Sequence, residues 1–409
     1  NTSYRERGNF YNAVARTVQG MNGMIYQTPP KVEMPDAFSD YLLDVTLSNV
    51  PFETFAMETG KEIFLTGRYG ILVDMPEETA EDNRPYLVGY KAEQITNWRS
   101  VRRGGDEVLS MVVLLEKVEV TDPKDTFSVG LVEQFRVVML NSEGQCIRQL
   151  WRQKDNKTKE WIQFGEDIVL MRRGEALDFV PFIFMGALSP TPELKNPPLI
   201  DLADVNLAHW RNSVDHEYGL HLVALPTPWI SGAKGQPEGT TMKIGPSVVW
   251  ELEVQGKAGM LEFTGKGLES LASAMDEKKK QMATLGARLL EDQPGTQETA
   301  SGVRLRHSAE TASVRTIAQS QEQGFIQSLQ IVVWWAGTDA KPKDAGVNVE
   351  LNKEYLNVKA SPEEVRVALT ALQAGEMSFE TWYHFLEVGG WTREGVTVED
   401  ERLAITRGE

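Results

Sequence analysis

The sequence predicts an α+β fold: a mixed body that carries a helical hairpin, with a small helical unit at its end. Three observations carry that expectation. Apolar residues at helical spacing from Leu199 to about Leu222, and again from Leu268 to about Leu290, flank a Pro/Gly-rich, β-like stretch from Pro226 to Gly265, so the chain goes out, turns over and returns. Short apolar runs between Glu107 and Phe184 alternate with turn signals such as Asn141-Ser142-Glu143-Gly144, the mark of an antiparallel meander. Helical patterns then recur on both sides of these two regions.

The elements follow in chain order. Phe10, Val14, Val18 and Met21 make Tyr4 to Tyr26 helical, and Pro29-Pro30 ends the pattern. Asp36 to Leu47 and Pro51 to Leu65 read as short helices, and Gly67 opens a strand through Tyr69, Ile71 and Val73. Met111 to Leu115, Phe135 to Leu140, Ile147 to Trp151 and Ile168 to Met171 are the apolar runs of the meander. After the stop signal Pro197-Pro198, the first rod carries a stripe of Leu207, Trp210, Val214, Tyr218 and Leu222, with Arg211 and Asp215 spaced to pair. In the second rod Leu268, Met275, Met282 and Leu289 recur every seven residues, with Leu271 and Leu285 between them and one interruption at Lys278. Each rod is on the order of 35 Å long. A breaker, Gln293-Pro294-Gly295-Thr296, separates this pair from a third helical stretch, roughly Thr299 to Val333. Val347, Val349 and Leu351 alternate like a strand returning to the body. Ser361-Pro362-Glu363-Glu364 caps a helix that Ala374-Gly375-Glu376 ends, and Ser378 starts another through Trp382 and Phe385.

Composition narrows the function. The chain has 409 residues, enough for two or three domains with a buried core. Its single cysteine, Cys146, cannot form an internal disulfide and fits a reducing cytosol. No run reads as a membrane span or a leader, and a chain starting at Asn1 is expected to lack part of its N-terminus. A net charge of −17 argues against gripping nucleic acid, which draws on clustered Lys and Arg, yet it permits a protein that touches DNA without holding it; acidic balance is also common among soluble proteins.

Motifs that would mark an enzyme fall short. His209, His216 and His221 share the first rod, but His216 and His221 are five residues apart, which turns the two rings about 140° from each other where zinc needs a four-residue step. Gly259 to Gly267 mimics a phosphate loop, one residue too long and with Gly267 where magnesium needs a Ser or Thr. No carboxylate pair and no nucleophile elbow is marked by local pattern, and Asn156-Lys157-Thr158 matches a glycosylation acceptor by chance. Lys278, Lys279 and Lys280 form a basic run that could face passing DNA; beside Asp276 and Glu277 it is equally a solvated face.

Phe10-Tyr11-Asn12-Ala13-Val14-Ala15-Arg16-Thr17 leading to Tyr26-Gln27-Thr28-Pro29-Pro30, then Thr299-Ala300-Ser301-Gly302-Val303-Arg304-Leu305-Arg306 before a long helix ending near Trp334-Trp335, together with the order of all the parts, resemble the tailed-bacteriophage portal (head-to-tail connector) proteins. The resemblance implies a portal fold: a wing over 1–198 and 301–360, two stem helices over 199–225 and 266–291, a small β-containing clip over 226–265, a tunnel loop over 292–300 and a helical crown over 361–409. It implies a ring, usually of twelve subunits, at one capsid vertex of the virion, assembled in the host cytoplasm, through which double-stranded DNA is packaged and ejected. Its partners would be further copies of itself, the DNA, the terminase large subunit, a head-tail adaptor and the major capsid protein, with a scaffold protein as a further contact and no membrane. It implies no catalysis, cofactor or metal. The tunnel loop would be Asp292, Gln293, Pro294, Gly295, Thr296, Gln297, Glu298 and Thr299, without a basic residue; Lys278, Lys279 and Lys280 would be candidates for the channel wall. In the clip, Trp229 and Trp250 are candidates for subunit or partner contacts, or for the clip's own small core. Two other readings stay open: a phage or prophage hydrolase with acid/base residues in the β-rich body, and another ring-forming neck or tail protein.

Overall fold

The computed structural model describes residues 2–76, 83–122, 125–154, 160–224, 227–233, 249, 251–261, 265–286, 311–337, 339, 341–355, 362–392 and 396–407. It is mixed helix and strand, in two compact units. One unit takes residues 1–20 with 196–292, the other residues 21–195 with 293–409.

The larger unit is the α+β body. Its helix α3 (Phe52–Thr66) closes on Gly67, whose φ of 75° is left-handed and whose N–H donates to Ile63 O, so the chain turns directly into strand β2 (Arg68–Asp74). Strand β2, buried along its whole length, is the middle of a three-stranded antiparallel sheet between β3 (Tyr86–Lys91) and β12 (Phe182–Gly186). The meander forms a second antiparallel sheet in the order β4 (Ile95–Arg103), β5 (Asp106–Asp122), β6 (Asp125–Leu140), β7 (Cys146–Gln153) and β8 (Trp161–Gln163), with β9 (Ile168–Val169) also on β7. Two two-residue strands, β10 (Met171–Arg172) and β11 (Glu175–Ala176), pair with each other. The returning strand β15 (Asn348–Glu350) pairs antiparallel with β1 (Lys31–Glu33).

Across the body runs α6 (Ala312–Ala336), which buries residues on every side, among them Phe325, Leu329 and Val332. Phe325 meets Phe52 edge to face at 5.2 Å. A Cβ on Gly324 would lie 2.0 Å from Met185 Sδ, so only glycine lets α6 and β12 approach this closely. Helices α7 (Pro362–Gln373), α8 (Phe379–Val388) and α9 (Val398–Arg407) end the chain. Ser378 caps α8 by accepting from Thr381 N–H at 3.2 Å.

Three sequence expectations need correction. The helix expected over Asp36 to Leu47 is a 3-10 helix that stops at Leu43, because Asp44 Oδ1 gathers the N–H groups of Thr46, Ser48 and Val50 at 3.1 to 3.3 Å. The single helix expected from Tyr4 to Tyr26 is two, α1 (Thr2–Arg5) and α2 (Ala13–Ile25). Residues 1–20, assigned to the wing from sequence, cluster instead with the helical hairpin, for reasons that lie in the hairpin itself.

Candidate functional site

The smaller unit is built on α4 (Ile200–Ala224) and α5 (Lys266–Leu285), joined through the strands β13 (Thr227–Ala233) and β14 (Leu252–Leu261). At 1.5 Å per residue these helices are about 37 and 30 Å long. Their close approaches run in opposite directions along the chain. A Cβ on Gly265 would meet Val223, one on Gly219 would meet Leu268 Cδ2 at 2.5 Å, and one on Gly286 would meet Leu202 Cδ2 at 2.8 Å and Thr17 at 2.7 Å. The helices are therefore antiparallel and in contact from end to end. Leu268, Leu271 and Met275 of the heptad seam are half-buried and Met282 is fully buried, while Leu285 is exposed and Leu289 lies outside the described residues.

The inner face of α4 differs from the stripe read in the sequence. Leu202, Asn206, His209, Ser213, Val214 and Gly219 are buried, whereas Leu207, Tyr218 and Leu222 are more than 40% exposed. Two of the polar members, Asn206 and Ser213, contact the backbone of the N-terminal segment. Asn206 Oδ1 accepts from Ala13 N–H at 3.0 Å and Val14 N–H at 3.4 Å, capping α2, and its Nδ2 donates to Tyr11 O at 2.8 Å. Ser213 Oγ lies 2.7 Å from Trp210 O on its own helix and 3.0 Å from Asn9 O, its single proton shared between these two acceptors, and a Cβ on Gly8 would lie 2.4 Å from Val214 and 2.8 Å from Trp210. This close fit is why the first helix breaks near Gly8 and why residues 1–20 belong here. Asp215, spaced to pair with Arg211, accepts a hydrogen bond from the Tyr4 hydroxyl, while the Tyr4 ring meets Tyr218 edge-on at 5.4 Å.

The hairpin's outer faces are left uncovered. Ile200, Leu207, Tyr218 and Leu222 recur at steps of seven, eleven and four residues, which return to one face of α4, and are 42 to 44% exposed. In the β13–β14 ribbon Met260 and Leu261 are exposed, and Trp229, opposite Gly259 on the partner strand, is 44% exposed. Trp229 is thus not enclosed in a core among the described residues; Trp250 lies outside them. The basic run does not present one face, since neighbours on a helix are about 100° apart. Lys278 is half-buried, Lys279 pairs with Asp276 at 3.5 Å, and Lys280 is exposed. All of Asp292, Gln293, Pro294, Gly295, Thr296, Gln297, Glu298 and Thr299 lie outside the described residues, as does the segment Thr299 to Arg306.

Sequence reasoning missed Asn206 and Ser213, and weighed His209 only as a metal ligand; together the three line the buried face of α4. Their steps of three and four are themselves a helical stripe, but of polar residues, which the hydrophobic pattern passes over.

In the body, the buried carboxylates are engaged with cations. Asp74, on β2, bonds Arg136 and also lies 3.3 Å from Arg148, and Glu116 binds Arg136 Nε at 2.8 Å and accepts from the Tyr90 hydroxyl at 2.6 Å. This network ties the three-stranded sheet to the meander. An open cleft of about 860 Å³, lined by Trp98, Phe184, Pro190, Glu107 and Glu193, brings together two carboxylates that are both exposed, and Glu193 is paired with Lys195 at 2.6 Å. Among the described residues no three His, Cys, Asp or Glu side chains group as metal ligands, and no helix is long and apolar enough to cross a membrane.

Residues 198–336, which hold the hairpin and α6, match the model of a family described as a domain of unknown function (DUF4055). No curated protein matches the chain. Among solved structures the chain is similar to one in the neck of a native GTA particle computed with C12 symmetry, at 12% identity and TM-score 0.43 over 92% of this chain and 89% of that one. It is similar to a chain in the virion of a native gene transfer agent particle, at 13% identity and TM-score 0.40 over 92% and 88%. It is also similar to an HK97 family phage portal protein from Corynebacterium diphtheriae, at 9% identity and TM-score 0.33 over 83% and 92%.

Proposed function

We propose that this chain is the subunit of a viral portal, a ring at one capsid vertex through which double-stranded DNA enters and leaves the head. The observation that carries the proposal is the α4–α5 hairpin: an antiparallel pair of rods whose long outer face keeps Leu207, Tyr218 and Leu222 in water. A solitary protein gains by burying such a stripe, whereas copies standing side by side bury it against one another. In that assembly α4 and α5 form the stem, residues 226–265 the clip that docks the terminase large subunit and later a head-tail adaptor, and residues 292–300 the loop that narrows the channel. The body and the terminal helices face the capsid protein. A ring multiplies the −17 charge of each chain, so the wall repels phosphate at short range and DNA slides without being held. Lys279 and Lys280 are the exposed members of the basic run, and Lys280, not drawn to Asp276 as Lys279 is, is the one we place toward the duplex.

Negative-stain microscopy of the purified full chain tests the proposal. Class averages should show a ring with a central hole, twelve-fold by the family resemblance; particles of one or two chains without a hole would end it.

A further inference from the structure

Midway along the hairpin sits a polar group whose needs are unmet. His209 is 2% exposed, and neither Nδ1 nor Nε2 has a hydrogen-bond partner among the described residues. Burying an imidazole without partners costs free energy, and burying its charged form costs more.

The antiparallel pairing of Gly219 with Leu268 and of Leu202 with Gly286 brings His209 level with Lys278 and Lys279 on α5. The one carboxylate facing it from that helix, Asp276, is already paired with Lys279 at 3.5 Å. From the N-terminal segment the ring of Tyr11 lies 5.9 Å away, and beyond it the Arg16 guanidinium stacks 5.0 Å over that same ring. The neighbours on its own helix, Asn206 and Ser213, are uncharged and committed to backbone groups, Asn206 to residues 11–14 and Ser213 to Trp210 O and Asn9 O. Cations therefore outnumber anions around the imidazole among the described residues, and none of those residues offers an acceptor to either ring nitrogen.

We propose that His209 makes the hairpin a pH-sensitive element: the neutral imidazole lets α4 and α5 lie together, and its protonation beside Lys278 and Lys279 parts the two helices at mid-length. The direction follows from linkage. Burial first, then Lys279 and Lys278, hold the imidazole below its ordinary pKa of 6.5. The unfolded or opened chain then binds more protons than the closed one. Hairpin stability is complete above the ordinary value and is lost as pH falls through it toward the lowered one.

Hydrogen exchange of the full chain, in its own assembly state and corrected for the intrinsic pH dependence of amide exchange, tests this between about pH 8 and about pH 5.5. Exchange in residues 206–213 and 275–282 should rise several-fold on acidification in the parent chain and stay level in His209→Gln and His209→Leu. Lys278→Met with Lys279→Met, which keeps the histidine, should shrink the rise and keeps the test open should the histidine variants fail to fold. No rise in the parent chain, or an equal rise in these variants, would overturn the proposal.

Discussion

The body and the hairpin use apolar residues in opposite ways. Helix α6, of 25 residues, buries Val314, Ile317, Phe325, Leu329 and Val332 to 3% exposure or less, whereas α4, of the same length, leaves Ile200, Leu207, Leu220 and Leu222 in water. Equal lengths of helix therefore serve different ends. One closes a core of its own; the other is held by small and polar contacts on one side and stays open on the other. What the contrast teaches is that equal helical length and a similar apolar stripe do not fix how much of a helix is buried within its own chain.

Four substitutions probe that contrast, in falling order of expected effect on the isolated chain. Asp74→Ala removes the fully buried acid between Arg136 and Arg148 and leaves two half-buried cations short of a partner. It should cost about 3–5 kcal/mol, read as a shift in denaturant midpoint. Phe325→Ala empties a fully buried site against Phe52 and should cost about 3–4 kcal/mol in the same assay. Gly219→Val forces a side chain where Leu268 already stands 2.5 Å from the position of a Cβ, and should cost about 1–3 kcal/mol with the loss confined to α4 and α5 by hydrogen exchange. Leu222→Ser should fall within about 0.5 kcal/mol by denaturation, because Leu222 is 42% exposed, yet weaken assembly by sedimentation. If Leu222→Ser instead unfolds the chain as Phe325→Ala does, the two helices are not different in kind.

Much of the fold is legible in the sequence, and the exceptions share a cause. The first rod appears near its expected limits and the second starts near its expected place, because Pro197-Pro198 and Gly265 punctuate them; the second rod is helical to Leu285, and the end expected near Leu290 lies outside the described residues. The meander appears because its apolar runs alternate with turn signals, and the returning strand because Val347, Val349 and Leu351 face the core. What stayed hidden depends on partners far away in the chain. Asn206 is buried because it caps a helix almost two hundred residues earlier, and Gly8 breaks a helix because Trp210 and Val214 press on it. Local periodicity carries no trace of either contact. The helix α9 has a weak apolar pattern, and its clearest signal is the reciprocal cap in which Thr397 and Asp400 bond each other's backbone N–H.

The reading of the open face of α4 as a contact between copies is tested most directly by the mass of the purified full chain in solution, measured beside Leu207→Asp with Leu222→Asp. The parent chain should run as one closed assembly, at twelve times 45.8 kDa if the ring is dodecameric, and the double variant as a folded species of far lower mass. A parent chain that stays at 45.8 kDa across the micromolar range would contradict it.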